Sequence, residues 1–310
     1  MSNIIFMGTP EFAVPALQAL HKEFGVRTVV TIPDKPRGRG LTVSPSAVKQ
    51  AALDLGITDI LQPEKLKDPA FAEEIARRQP DVICVIAFKI LPRSVFSLSS
   101  KGTFNVHASL LPRFRGAAPI NHAILEGDTE TGVTSFLLDD VVDTGTILLQ
   151  ERCTIADGTT TGELYATLMP MAAACACEST RGLIQGTLVP YAQDDTLATP
   201  APKVFRETAD INWDQSRVRV RNFIHAHSPS PCAWTMWNED VLKIFRASYA
   251  TYSALPAGSW IIKDSQFLIG CADGTLSLDE VQLPGKRKMS VGDMLQGYRG
   301  TTEGLLPCPN

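Results

Sequence analysis

The sequence predicts a two-domain protein: an α/β domain on a parallel sheet with crossover helices, then a smaller β-barrel domain. Three observations carry this. Apolar runs alternate with helical stretches over the first part of the chain, the pattern of strands joined by crossover helices. Hydrophobic periodicity vanishes between Pro190 and Pro202, where Pro, Thr, Ala and Asp dominate. Beyond that point come short β-like runs separated by Gly, Asp and Asn, the spacing of a small barrel. A length of 310 residues also favours two domains over one. The boundaries read as 1–189, a linker over 190–203, and 204–310.

Each element follows from local chemistry. Asn3 to Met7 is an apolar strand ending at Gly8-Thr9-Pro10. A helix starts near Pro15, since proline is tolerated in the first helical turn, and Ala16, Leu17 and Leu20 supply its inward face. Val26 to Ile32 is the next apolar run, stopped by Pro33-Asp34-Lys35-Pro36. Ala47 to Leu55 and Phe71 to Arg78 read as helices. Val82 to Ala87 has no polar alternation, which suits a strand covered on both faces. Residues 103–107 and Thr134 to Leu138 are further strands, and Gly162 to Gly182 is helical. In the second domain a helix spans Gln215 to Ala226. Strands follow over Val241–Phe245, Trp260–Ile262, Phe267–Cys271 and Thr275–Val281.

Composition excludes several classes. Hydrophobic residues make up 44% and charged residues 20%, an ordinary globular balance. Seven cysteines, an odd number spread along the chain, do not form a disulfide framework. Cys175 and Cys177 share a helix but diverge by about 200°, so they do not share a metal. No apolar run reaches the roughly 18 residues that a membrane span needs. A cytoplasmic protein without membrane association and without a metal is expected. The net charge of −4 gives no bias towards nucleic acid, and residues 204–310 carry 11 basic and 11 acidic residues. RNA binding there requires charge segregation, for which Arg217, Arg219, Arg221 and Lys286, Arg287, Lys288 are the clusters.

The first turn, Gly8-Thr9-Pro10-Glu11, follows a strand but lacks the second and third glycines that admit a dinucleotide pyrophosphate. Its place at a strand's carboxyl end still puts it near a ligand crevice. Asp34 to Gly40 is basic and glycine-rich, either a solvated loop or a contact for a phosphate backbone. The pair Asn105 and His107 is the sharpest signal. On a strand, i and i+2 share a face, so an amide donor stands beside an imidazole. That pair suits a reaction in which a carbonyl oxygen becomes negative and a proton moves. Asp143, followed by Thr144-Gly145, is a turn carboxylate that can orient His107, accept a proton, or merely bond local amides. His122 reads as structural, and His225 and His227 as structural or weakly nucleic-acid-binding, not catalytic.

The run NVHASLLPRFRGAAPIN, Asn105 to Asn121, resembles the core signature of the folate-dependent formyltransferases. The resemblance covers nearly the whole chain. It includes Ile5 to Ala13, Pro33 to Pro36 with Gly38-Arg39-Gly40, Ser44-Pro45 leading to Val48-Lys49, Leu61 to Leu66, and Thr131 to Thr134. It continues in Ile211-Asn212-Trp213 and Pro229 with Ala233-Trp234-Thr235. It is closest to the branch that acts on charged initiator tRNA. It implies a Rossmann-like amino-terminal domain and an OB-like carboxy-terminal one. It also implies transfer of the formyl group of 10-formyltetrahydrofolate to the α-amino group of initiator methionyl-tRNA, with no obligate protein partner. Asn105, His107 and Asp143 match the catalytic trio. Phe88, Ile90 and Leu91 match one wall of the folate pocket, and Ser109, Leu110, Leu111 and Pro112 the other. Arg37 and Arg39 match the basic loop that approaches tRNA. The match departs at Leu41 and Thr42, where the family often has two lysines. It departs also at Val141, where glycine is common, at Ser230 to Cys232, and at His225, where arginine is common.

Overall fold

A computed structural model describes residues 2–37 and 42–307, with backbone alone at 35–37, 42 and 43. By mutual contact the chain divides into two units. One comprises Met1–Pro119, Thr131–Cys153 and Tyr165–Ala201; the other comprises Ile120–Glu130, Thr154–Leu164 and Pro202–Asn310.

The elements from the amino terminus are β1 (Ile4–Gly8), α1 (Val14–Phe24), β2 (Thr28–Val30), β3 (Lys35–Arg37), β4 (Thr42–Ser44), α2 (Ala47–Asp54) and β5 (Asp59–Leu61). Then come α3 (Pro69–Arg77), β6 (Val82–Ile86), α4 (Arg93–Phe96), β7 (Gly102–His107), β8 (Arg115–Gly116) and α5 (Pro119–Glu126). They are followed by β9 (Glu130–Leu137), β10 (Ile147–Thr154), α6 (Thr161–Gln185) and β11 (Pro200–Ala201).

The sheet of the first unit has the order β10-β9-β7-β6-β1-β2-β5. Pairs β1–β2, β2–β5, β1–β6 and β6–β7 are parallel, as the alternating pattern predicts. Strands β1 and β6 are buried throughout, which is why they read as continuous apolar runs. The strand order reverses between β1 and β6, and sheets of this kind bind ligands outside the carboxyl ends at that switch. Gly8 lies there, where a Cβ would stand 3.1 Å from the Ile86 carbonyl and closer still to Ala13 and Phe6.

The sheet is mixed. β9 runs antiparallel to β7, pairing His107 with Thr134 and Phe104 with Leu137. The chain therefore re-enters the sheet at the end where β7 leaves it, which the hydrophobic pattern of β9 does not reveal. Helix starts obey capping rules: Ser46 Oγ accepts from Lys49 N at 3.0 Å, and Asp68 caps the helix that opens with Pro69.

The second unit contains α7 (Arg217–Ala226), β12 (Ala233–Trp237), β13 (Asp240–Tyr249), β14 (Ser259–Lys263), β15 (Gln266–Cys271), β16 (Gly274–Gln282), β17 (Met289–Ser290), α8 (Val291–Gln296) and β18 (Glu303–Leu305). Its antiparallel sheet runs β12-β13-β16-β15-β14-β18, with β17 on β16, and curls into an OB-like half-barrel. Trp213, Trp237, Trp260 and Phe267 fill its core. The helix begins two residues after Gln215, because Ser216 Oγ caps it by accepting from Arg219 N.

Candidate active site

Strand β7 lies between β6 and β9, and its last residues carry the polar pair. Asn105 sits opposite Val85 on one side and Phe136 on the other. Its side chain is half-buried and makes no hydrogen bond among the described residues. Its amide N–H groups can therefore donate to a ligand oxygen. His107 is only 7% exposed, and its Nε2 lies 2.8 Å from the Phe114 carbonyl. A carbonyl only accepts, so Nε2 carries the hydrogen and the neutral ring presents its lone pair at Nδ1. That atom faces Asp143 Oδ2 at 3.8 Å, too long for a hydrogen bond.

Asp143 is held from several directions. It is 9% exposed and adopts a left-handed backbone, φ 59°. Its Oδ2 accepts from Gly116 N at 2.9 Å. Gly116 has φ 127°, and a Cβ there would lie 2.6 Å from the Ala201 carbonyl. Gly145 closes the turn, with a Cβ position only 1.6 Å from the Leu137 carbonyl. Gln193 Nε2 donates to the carbonyls of both Asp143, at 2.9 Å, and Gly145, at 2.8 Å. Residues 190–203 read from composition as linker, yet Gln193 is anchored in this way, and Pro200 and Ala201 pair in parallel with Arg115 and Gly116. Their polar anchors leave no hydrophobic period.

The loop after β7 is built from within. Ser109 Oγ donates to the Arg113 carbonyl at 2.6 Å, and Thr134 Oγ1 donates to the Ser109 carbonyl at 2.7 Å. Leu111 N donates to Thr134 Oγ1 at 3.0 Å, and Gln150 Nε2 to the Leu111 carbonyl at 2.7 Å. The Ser109 and Leu111 side chains are buried, Leu111 against Phe136 and Ile147. They support the loop rather than face solvent, whereas Leu110 and Pro112 are half-exposed. On the other predicted wall, Leu91 is buried, Phe88 half-buried and Ile90 73% exposed. Arg93 binds Asp140 through Nε at 2.9 Å, tying the start of α4 to the turn that carries Asp143. This exposed pair holds the Asp140 carboxyl below the usual range by hydrogen bonding from Arg93.

On either side of residues 38–41, β3 pairs antiparallel with β4, which sets Arg37 opposite Thr42. Arg39 and Leu41 lie outside the described residues. Next to this pair, Lys49 Nζ donates to Asp34 Oδ2 and to Gln62 Oε1, and Gln62 Nε2 donates to Asp34 Oδ1. Three separate sequence signatures converge in this cluster. In the second unit His225 and His227 are buried, and His225 Nε2 accepts from Ala247 N at 3.2 Å. Among the described residues no His, Cys, Asp and Glu cluster could hold a metal. No described helix is long and apolar enough to cross a membrane.

A family profile described as formyl transferase matches residues 2–176, and one for the formyl transferase C-terminal domain matches 203–299. The chain belongs to the formyl transferase family. Among curated relatives of this family, the methionyl-tRNA formyltransferase of Porphyromonas gingivalis is 43% identical over 309 residues, covering 96% of this chain and 95% of the relative. That of Bacteroides thetaiotaomicron is 40% identical over 310 residues, covering 96% of each. Solved formyltransferases share the fold. The N-formyltransferase of Helicobacter canadensis, solved with folinic acid and dTDP-3-aminofucose, gives a TM-score of 0.70 at 20% identity over 93% of this chain and all of that one. The methionyl-tRNA formyltransferase of Clostridium thermocellum gives 0.58 at 18% over 91% and 99%. Sequence reading assigned no role of their own to Gln193, Arg115, Thr134 or Thr199, which hydrogen-bond the turn of Asp143 and the loop after β7. Their partners lie up to 85 positions away in sequence, as Thr199 Oγ1 does from Phe114 N, and only the fold discloses them.

Proposed function

We propose that the protein transfers the formyl group of 10-formyltetrahydrofolate to the α-amino group of methionine on initiator methionyl-tRNA, in the cytoplasm. The observation that carries this is full-length identity above 40% to methionyl-tRNA formyltransferases, in a chain that retains Asn105, His107 and Asp143. Phe88, Ile90, Leu110 and Pro112, which the resemblance assigns to the folate donor, are apolar residues with accessible surface to offer a flat ring.

The proposed chemistry needs no covalent enzyme adduct. The amine lone pair attacks the formyl carbon, and a C–N bond forms as the carbonyl electrons move to oxygen. The unpartnered Asn105 amide donates to that oxygen. His107 Nδ1, left with a lone pair by the Phe114 contact, takes the ammonium proton. The resulting imidazolium is stabilised by the Asp143 carboxylate 3.8 Å away, and donates in turn to the oxyanion. Collapse breaks the bond to the folate nitrogen, which leaves with a proton.

The fold also matches sugar formyltransferases, so acceptor choice is the point to test. Purified protein is assayed with 10-formyltetrahydrofolate against charged initiator tRNA and against a dTDP-amino sugar. Formylation of the tRNA alone is expected; formylation of the sugar alone would overturn the reading.

A further inference from the structure

We infer that Gln193 and Arg115 are positioning residues for the reaction, acting by fixing the turn that carries Asp143; this rests on the catalytic assignment proposed above. The Gln193 amide has four hydrogen-bonding capacities and uses all four. Its NH2 donates to the Asp143 and Gly145 carbonyls, at 2.9 and 2.8 Å. Its Oε1 accepts from Arg115 Nε at 3.1 Å and from Arg115 Nη2 at 2.7 Å. The partners fix the orientation of the amide, because carbonyls only accept and a guanidinium only donates.

Arg115 is itself oriented by Asp195, whose Oδ1 lies 2.6 Å from Nη2. The next residue, Gly116, donates its backbone N–H to the Asp143 carboxylate. The dipeptide Arg115-Gly116 therefore grips Asp143 twice, directly at the carboxylate and through Gln193 at the backbone. This matters because the Asp143 backbone is left-handed, a conformation that a non-glycine residue keeps only when its surroundings hold it. The carboxylate must stay near its present distance from His107 Nδ1 to act on the proton. A shift of about 1 Å in such a group can cost about 100-fold in rate.

Few other side chains meet these requirements. Glutamate at 193 accepts from Arg115 but cannot donate to the two carbonyls. Asparagine is one methylene too short to span them.

The test uses the full chain with 10-formyltetrahydrofolate and charged initiator tRNA. Gln193→Glu, Gln193→Leu, Asp143→Ala and the double variant Gln193→Leu/Asp143→Ala are compared by single-turnover rate, KM for each substrate and thermal unfolding. For both Gln193 variants the expected result is a fall of about 10- to 100-fold in kcat, with either KM changed less than threefold and the folded fraction retained. In the Asp143→Ala background, loss of Gln193 is expected to add no further loss. Wild-type kcat in both Gln193 variants, or full additivity with Asp143→Ala, would overturn the inference while leaving the catalytic assignment intact. Wild-type activity of Asp143→Ala alone would instead overturn the assignment on which it rests.

Discussion

His107 gives its Nε2 hydrogen to the Phe114 carbonyl at 2.8 Å and turns Nδ1 towards Asp143 Oδ2 at 3.8 Å. The first contact sets the tautomer, and the second places a carboxylate beside the ring nitrogen that keeps its lone pair. Replacing Asp143 by Asn keeps an oxygen for the Gly116 N–H but removes the negative charge. The expected outcome is a loss of about 100- to 1,000-fold in kcat, with folate binding unchanged, measured by single-turnover formylation and by folate titration.

Gly116 is where backbone geometry meets this charge. Gly116→Ala must move against the Ala201 carbonyl and leave its φ of 127°. We expect a stability loss of about 1–3 kcal/mol. We also expect a kcat loss of at least about tenfold as the N–H to Asp143 moves away. Denaturant unfolding and turnover together check this; an alanine variant with both values near wild type contradicts it.

Leu111 and Ile90 separate support from contact. Leu111 is buried against Phe136 and Ile147, so Leu111→Ala is expected to cost about 2–5 kcal/mol of stability. Ile90 is largely exposed, so Ile90→Ala should cost under about 0.5 kcal/mol. Its proposed contact with the folate donor predicts a severalfold rise in KM for that substrate in the variant while stability holds. Unfolding curves and KM for the folate measure both.

The buried histidines of the second unit make its stability depend on pH. Burial, reinforced by Arg221 and Arg246, pushes His225 down to about 4, and burial pushes His227 down as well. In the unfolded chain each returns to about 6.5. The unfolded state then binds protons that the folded state refuses. The stability contribution is full above pH 6.5 and is lost as pH falls towards 4. For His225 the gap is worth about 3 kcal/mol. Thermal unfolding of the wild type should therefore drop more steeply between pH 6.5 and 4 than that of His225→Gln. Parallel curves would contradict this.

The polar pair was legible in sequence because a strand's period of two needs no tertiary knowledge. Asn105 and His107 occupy the end of β7 as that spacing requires. The Asp143 turn was legible through Thr144-Gly145, since Gly145 has no room for a Cβ. The direction of β9 was not, because parallel and antiparallel strands share the same apolar pattern. Neither was the inward turn of Ser109 and Leu111, since a loop has no period to say which side chains face the core. Gln193 was invisible for a related reason: it sits in a polar stretch, and its partners Asp143 and Arg115 are 50 and 78 positions away.

Formyl transfer to the methionyl amine is proposed to depend on the Asn105 amide together with the His107–Asp143 pair. It is tested most directly by the single-turnover rate on charged initiator tRNA with 10-formyltetrahydrofolate, for wild type and Asn105→Ala at matched folded fraction. Rapid formylation by the wild type and a fall of about 100- to 1,000-fold in the variant is the predicted result. Near-normal formylation by Asn105→Ala would contradict it.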